Sequence, residues 1–161
     1  MKKTNGFTLL ELMIVISMIG ILASVSLPQY QSYIIRSEIT EALAMGADIR
    51  EDVTAYYVEN SDFPKNNQQA GVPQPEKLIG NRITGVEVAG GAIHITLGHK
   101  VAKPLQGKVL TFRPAVVDGS PKSPISWLCG YDEPVKGMSG VGANQTTVEA
   151  EYLPSACRKR D

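Results

Sequence analysis

The sequence predicts an α+β fold in which one long N-terminal α-helix packs on a four-stranded antiparallel β-sheet. Three observations predict it: an apolar run near the start of the chain, an amphipathic helical stripe that continues it, and four short segments in which apolar and polar residues alternate. A length of 161 residues fits one modest domain behind an N-terminal segment.

The apolar run comes first. From Phe7 to Leu27 the only charged residue is Glu11. A hydrocarbon core needs about 20 apolar residues in helical form to cross it, so the run is long enough to span. A charge inside such a run costs roughly 2.5–3.5 kcal/mol on insertion scales and marks a functional residue. A secretory signal has an apolar region of about 7–15 residues, shorter than this one. A plain one-span anchor accounts for the length and for the flanking Lys2 and Lys3, but not for Glu11. A buried core helix of this length would not lack a polar face. Lys2 and Lys3 precede the span, which keeps that side cytoplasmic and sends the C-terminal bulk outward.

The whole stretch Lys2-Lys3-Thr4-Asn5-Gly6 followed by Phe7-Thr8-Leu9-Leu10-Glu11-Leu12 resembles the signature of the type IV pilins. The resemblance is to the precursor of a type IVa major pilin, and it implies the α+β pilin fold. It implies that residues 1–6 are a leader, cut between Gly6 and Phe7 by a prepilin peptidase that also methylates the new amino group of Phe7. It implies that Glu11 serves assembly by meeting the N-terminal amine of a neighbouring subunit. An opposite charge offsets much of the cost of a buried carboxylate, and such a pair sets register more than it adds stability. The resemblance also implies an assembly ATPase, platform proteins and other copies of the chain as partners. Localisation would be the inner membrane by a single pass, then an extracellular filament.

Residues 7–28 then read as the membrane and filament-core helix, with Gly20 and Pro28 as helix breaks. Pro removes a helix donor and clashes with the preceding turn, and Gly adds backbone freedom. Residues 29–59 read as an amphipathic helix. Ile35, Ile39, Ala42, Gly46, Ile49, Val53 and Tyr56 fall at steps of four and three, one apolar stripe for packing on a sheet. Arg36, Glu38, Glu41, Asp48, Arg50, Glu51 and Asp52 lie largely off the stripe, facing solvent or other subunits. Helix from Phe7 to Glu59 would run roughly 75–80 Å. Residues 60–84 lack periodicity and hold Asn66-Asn67-Gln68-Gln69 and Gly71-Val72-Pro73-Gln74-Pro75. They read as a long surface connecting loop.

Residues 85–130 carry the strands. Val86 and Val88 alternate with Glu87, and Ile93, Ile95 and Leu97 with His94 and Thr96. Leu110 and Phe112 flank Thr111, and Ile125, Trp127 and Cys129 alternate with Ser126 and Leu128. Gly90-Gly91 is a hairpin turn signal. One apolar face predicts an antiparallel sheet covered on that side by the helix stripe. Cys129 and Cys157 are the only cysteines, and in an outward-facing chain they suggest one disulfide. It would be worth about 3.5 kcal/mol by chain entropy, stapling a glycine-rich segment over 129–157 that could not hold itself by core burial. The resemblance likens this pair to the one that bounds the exposed C-terminal loop of type IVa pilins. Pseudopilins of type II secretion usually lack it.

The remaining residues point to no chemistry. Formal net charge is zero, with 16 basic and 16 acidic residues, unlike a general nucleic-acid binder. His94 and His99 do not share a strand face, so no metal site or cofactor is expected. There is no phosphate loop and no nucleophile set, so no enzyme is expected. Asn144-Gln145-Thr146 fits a glycosylation acceptor. Arg158-Lys159-Arg160 is a basic tail that either meets DNA phosphates or a host surface, or is a solvated terminus. The expected function is that of a structural pilus subunit, with adhesion, twitching motility and DNA uptake as consequences of the resemblance. A minor pilin or pseudopilin is the alternative within the superfamily, and a membrane-anchored binding module the alternative outside it.

Overall fold

The computed structural model describes residues 6–159. Residues 1–5, most of the expected leader with Lys2 and Lys3, and residues 160–161, including Arg160, lie outside the described residues. The elements in order are a helix α1 (Leu9–Asn60) and strands β1 (Ile83–Ala89), β2 (Ala92–Leu97), β3 (Val109–Val117), β4 (Ser126–Cys129) and β5 (Met138–Gly140). Short 3-10 turns lie at Pro75–Lys77, Lys103–Leu105 and Ser155–Cys157. The chain divides after Ile34 into two units. That boundary lies later than the one expected after Pro28, because the residues from Gln29 to Ile34 bury no side chain.

In the first unit the helix is unbroken through both Gly20 and Pro28, so neither residue is a helix break here. Pro28 lacks only its own N–H, which costs the carbonyl of Ser24 its bond, while the turns on either side keep theirs. The Ser24 hydroxyl donates to the Ile21 carbonyl at 2.7 Å. Its neighbours therefore hold the helical path.

In the second unit α1 buries Ile39, Ala42, Gly46, Ile49, Val53 and Tyr57. The stripe ends on Tyr57, not Tyr56, since the step from Val53 is a full four residues. Tyr57 stacks on Phe63 with ring centroids 4.3 Å apart, and its hydroxyl donates to the Pro121 carbonyl. Two acids expected on the outer face turn inward. Glu38 is buried and accepts the Ala102 amide at 2.8 Å. Glu41 accepts the Arg82 amide and pairs with its guanidinium at 3.4 Å.

The sheet is antiparallel in the order β1-β2-β3-β4, and β5 also pairs with β3. The β1–β2 turn places Gly90 at φ 56° and Gly91 at φ 83°, the left-handed pair that a two-residue hairpin requires. Ile93, Ile95, Leu97, Leu110 and Phe112 form the core with the helix stripe. The Gly46 backbone lies against the Phe112 ring, and a Cβ at Gly46 would fall inside van der Waals contact with it. Leu128 is buried in β4 and Trp127 only half-buried, against the expected alternation. This short edge strand carries Leu128 toward β5 and Pro134, as the space beside Gly140 shows.

The connector between α1 and the sheet is not a free surface loop. It buries Asn67, Ala70 and Val72. The Asn67 amide nitrogen donates to the carbonyls of Pro73 and Val86, and its oxygen accepts the Val88 amide at 2.7 Å. The side chain thus satisfies backbone groups of β1, an edge strand whose open ladder would otherwise invite pairing. The sheet also begins at Ile83, two residues ahead of the expected start, and the Gly98 amide donates to the Arg82 carbonyl just outside it.

Candidate assembly site

The candidate site begins at Gly6 and Phe7. Phe7 is 85% exposed, so the Gly6–Phe7 bond stands ahead of the helix. Thr8 is the cap. The Thr8 amide and hydroxyl both donate to Glu11 Oε2 at 2.9 Å, and the Glu11 amide donates back to Thr8 Oγ1 at 3.2 Å. This is a reciprocal capping box, which satisfies two helix-start donors at once. Thr8-x-x-Glu11 ahead of an apolar run is a sequence signature of that box, so the role of Thr8 was there to be read. The box holds the Glu11 carboxylate at the first turn, where the helix dipole also favours an anion.

Beyond the cap the apolar side chains face outward all round. Leu10, Met13, Ile16, Met18, Ile19, Leu22 and Val25 are each exposed by more than half. A helix apolar on every side belongs in lipid or among other apolar helices. Its length and composition suffice to cross a membrane.

The second part of the site is the C-terminal segment. Cys129 and Cys157 are joined by a disulfide. The segment they bound is better held than composition suggested. Val148 and Leu153 are fully buried in the core, and β5 adds a strand to β3. Tyr131 donates its hydroxyl to the carbonyls of Thr146 and Val148, and the Thr147 amide donates to the Val109 carbonyl. Long-range burial of single apolar residues has no periodicity, which is why the sequence reading missed it. The Asn144 amide is occupied internally: it donates to the Gly130 carbonyl and accepts the Thr146 amide. The basic tail is tied down as well. Arg158 donates to the carbonyls of Leu153 and Glu151, and Lys159 pairs with Glu133 at 3.2 Å.

His94 is buried on the outer face of β2, where alternation left it solvent-facing. Its Nδ1 lies 3.0 Å from the Thr111 hydroxyl. Burial pushes its pKa below the ordinary histidine value, and the Glu87 carboxylate on β1 opposes that displacement.

Comparison with known proteins accounts for both ends of the chain. Residues 1–27 match the prokaryotic N-terminal methylation motif, and residues 35–158 match the pilin (bacterial filament) family. The chain is 37% identical to a fimbrial protein of Neisseria meningitidis serogroup A, over 96% of its own length and 94% of the relative's. It is 38% identical to the type IV major pilin protein PilE1 of Neisseria gonorrhoeae, over 96% and 87% of the two lengths. It is 30% identical to the type IV major fimbrial protein FimA of Dichelobacter nodosus, over 97% of each. These matches join an apolar helix exposed on all sides to a helix-on-sheet domain along almost the full chain, and so the protein belongs to the pilins, structural and non-enzymatic subunits of bacterial filaments.

Proposed function

We propose that the chain is a type IV major pilin made as a prepilin. A prepilin peptidase cuts it between Gly6 and Phe7 and methylates the Phe7 amino group. The subunit sits in the inner membrane by its N-terminal helix. An assembly ATPase and platform proteins then draw it into a surface filament that serves adhesion, twitching motility and DNA uptake. The observation that carries this reading is the outward-facing apolar helix with one carboxylate at its first turn. Such a surface is stable only in lipid or in a bundle of like helices. In the bundle the Phe7 amine of a neighbouring copy would meet Glu11, and only one axial offset brings the two charges together.

The intact mass and N-terminal sequence of protein sheared from cells test the reading. The expected result is a chain that begins at Phe7, one methyl group heavier, with Cys129 and Cys157 oxidised. A chain that keeps Met1 and stays in the membrane would overturn it in favour of an anchored binding module. Recovery at the filament tip or base alone would favour a minor pilin or pseudopilin.

A further inference from the structure

We propose that His94 and Thr111 form an acid-sensitive latch that holds residues 142–146 against the outer face of the sheet and releases them when the imidazole is protonated. The parts lie in one row across the strands. Glu87 of β1 pairs with His94 of β2, and His94 pairs with Thr111 of β3. The Gln145 amide donates to Thr111 Oγ1 at 3.1 Å, and the Thr111 amide donates to Thr146 Oγ1 at 3.2 Å. Upstream, Gly142 lies against Ala92 and the Gly90 carbonyl at the β1–β2 turn. Downstream, Asn144 reaches the Gly130 carbonyl. The segment therefore crosses the sheet from the hairpin toward β4, and His94 is 3% exposed.

The hydrogen-bond arithmetic sets the protonation state. The Gln145 amide takes one lone pair of Thr111 Oγ1, and among the described residues the one acceptor within reach of the hydroxyl proton is His94 Nδ1, so the proton is directed there. Nδ1 then accepts, and the neutral ring carries its proton on Nε2. Nε2 is buried with no partner among the described residues. Protonation turns Nδ1 into a second donor facing Thr111 Oγ1, displaces the hydroxyl proton, and leaves a buried cation with Nε2–H unpaired. Burying such a charge is costly. Lifting residues 142–146 lets water reach it. The charged group facing the ring is Glu87, on β1; it is exposed, so water screens its attraction. Thr111 and residues 142–146 carry no titratable side chain. The sign follows: the closed state favours the neutral ring, so the latch is fully held above the ordinary histidine pKa of about 6.5 and weakens as pH falls below it.

Hydrogen exchange of the full-length chain in detergent tests the latch, with each rate divided by the intrinsic rate at that pH. Protection at Gln145 and its neighbours should fall by roughly an order of magnitude between about pH 7.5 and about pH 5, while β1 and β2 keep theirs. In His94→Gln protection should not change with pH. Equal protection at both pH values in the unaltered chain, or the same loss in His94→Gln, would overturn the proposal. Should His94→Gln not fold, Thr111→Val decides: it removes the hydroxyl that the Gln145 amide and the ring share, so protection at Gln145 should be low already at about pH 7.5 and fall no further by about pH 5. Protection at Gln145 that still falls with acid in Thr111→Val would overturn the latch.

Discussion

At the scale of single residues, three side chains carry more than their type suggests. Gly46 lets α1 approach the sheet until its backbone meets the Phe112 ring. Gly46→Ala forces that ring aside, and overpacking of this kind costs about 1–3 kcal/mol. Alanine improves helix propensity by about 1 kcal/mol, so a net loss in chemical denaturation would show that packing prevails. Glu38 is an acid inside the domain because it accepts the Ala102 amide. Glu38→Ala removes an acceptor and leaves a donor without its partner, for an expected loss of about 1–3 kcal/mol. By contrast the ion pairs Lys108–Glu149 and Lys159–Glu133 stand in solvent. Their removal should leave the unfolding midpoint nearly unchanged, since exposed pairs contribute about 0–1 kcal/mol.

At the scale of elements, the sheet depends on two pieces of chain that are not strands. The Asn67 side chain closes the edge of β1 with bonds to Val86 and Val88 and fixes the connector through Pro73. Asn67→Leu keeps the volume and loses all three bonds, leaving buried backbone groups unmatched. An expected loss of about 2–3 kcal/mol, with faster proteolysis in residues 64–75, would show that this loop is held by one side chain. The disulfide does the same for the C-terminal segment. Replacing both cysteines by serine should cost about 2–5 kcal/mol. Exchange should rise over residues 130–157 first, because β1–β3 and α1 keep their own ladder and core. Val148 and Leu153 share that work by burial, so the segment should loosen and not detach.

At the scale of the whole molecule, the proposed assembly role of Glu11 and the core of the domain rest on different residues. Glu11 is tied to Thr8 at the helix start, and nothing in the buried core depends on it. Glu11→Val should leave the unfolding midpoint of the domain and insertion in the membrane unchanged while sheared filament yield falls sharply. Normal yield would remove Glu11 from register setting. Thr8→Val provides the complementary measurement, since it frees the carboxylate from the cap without removing its charge. A retained yield in that variant would place the assembly role on the charge and not on the capping box.

The apolar run and the lone charge inside it were legible in the sequence because they are local features: length and composition need no partner. The helix stripe and the strands β1–β3 were legible for the same reason, since periods of 3.6 and 2 follow from backbone geometry. Even the end of the stripe at Tyr57 needed only a stricter count. What only the tertiary structure decided has a common cause, which is contact between residues far apart in the chain. Glu38 turns inward because Ala102 waits there, and Asn67 is buried because β1 has an open edge. His94 is enclosed because Thr111 flanks it on β3 and residues 142–146 cross above it. A polar residue facing a distant donor carries no periodic mark, and its burial follows only once folding has brought its partner to it.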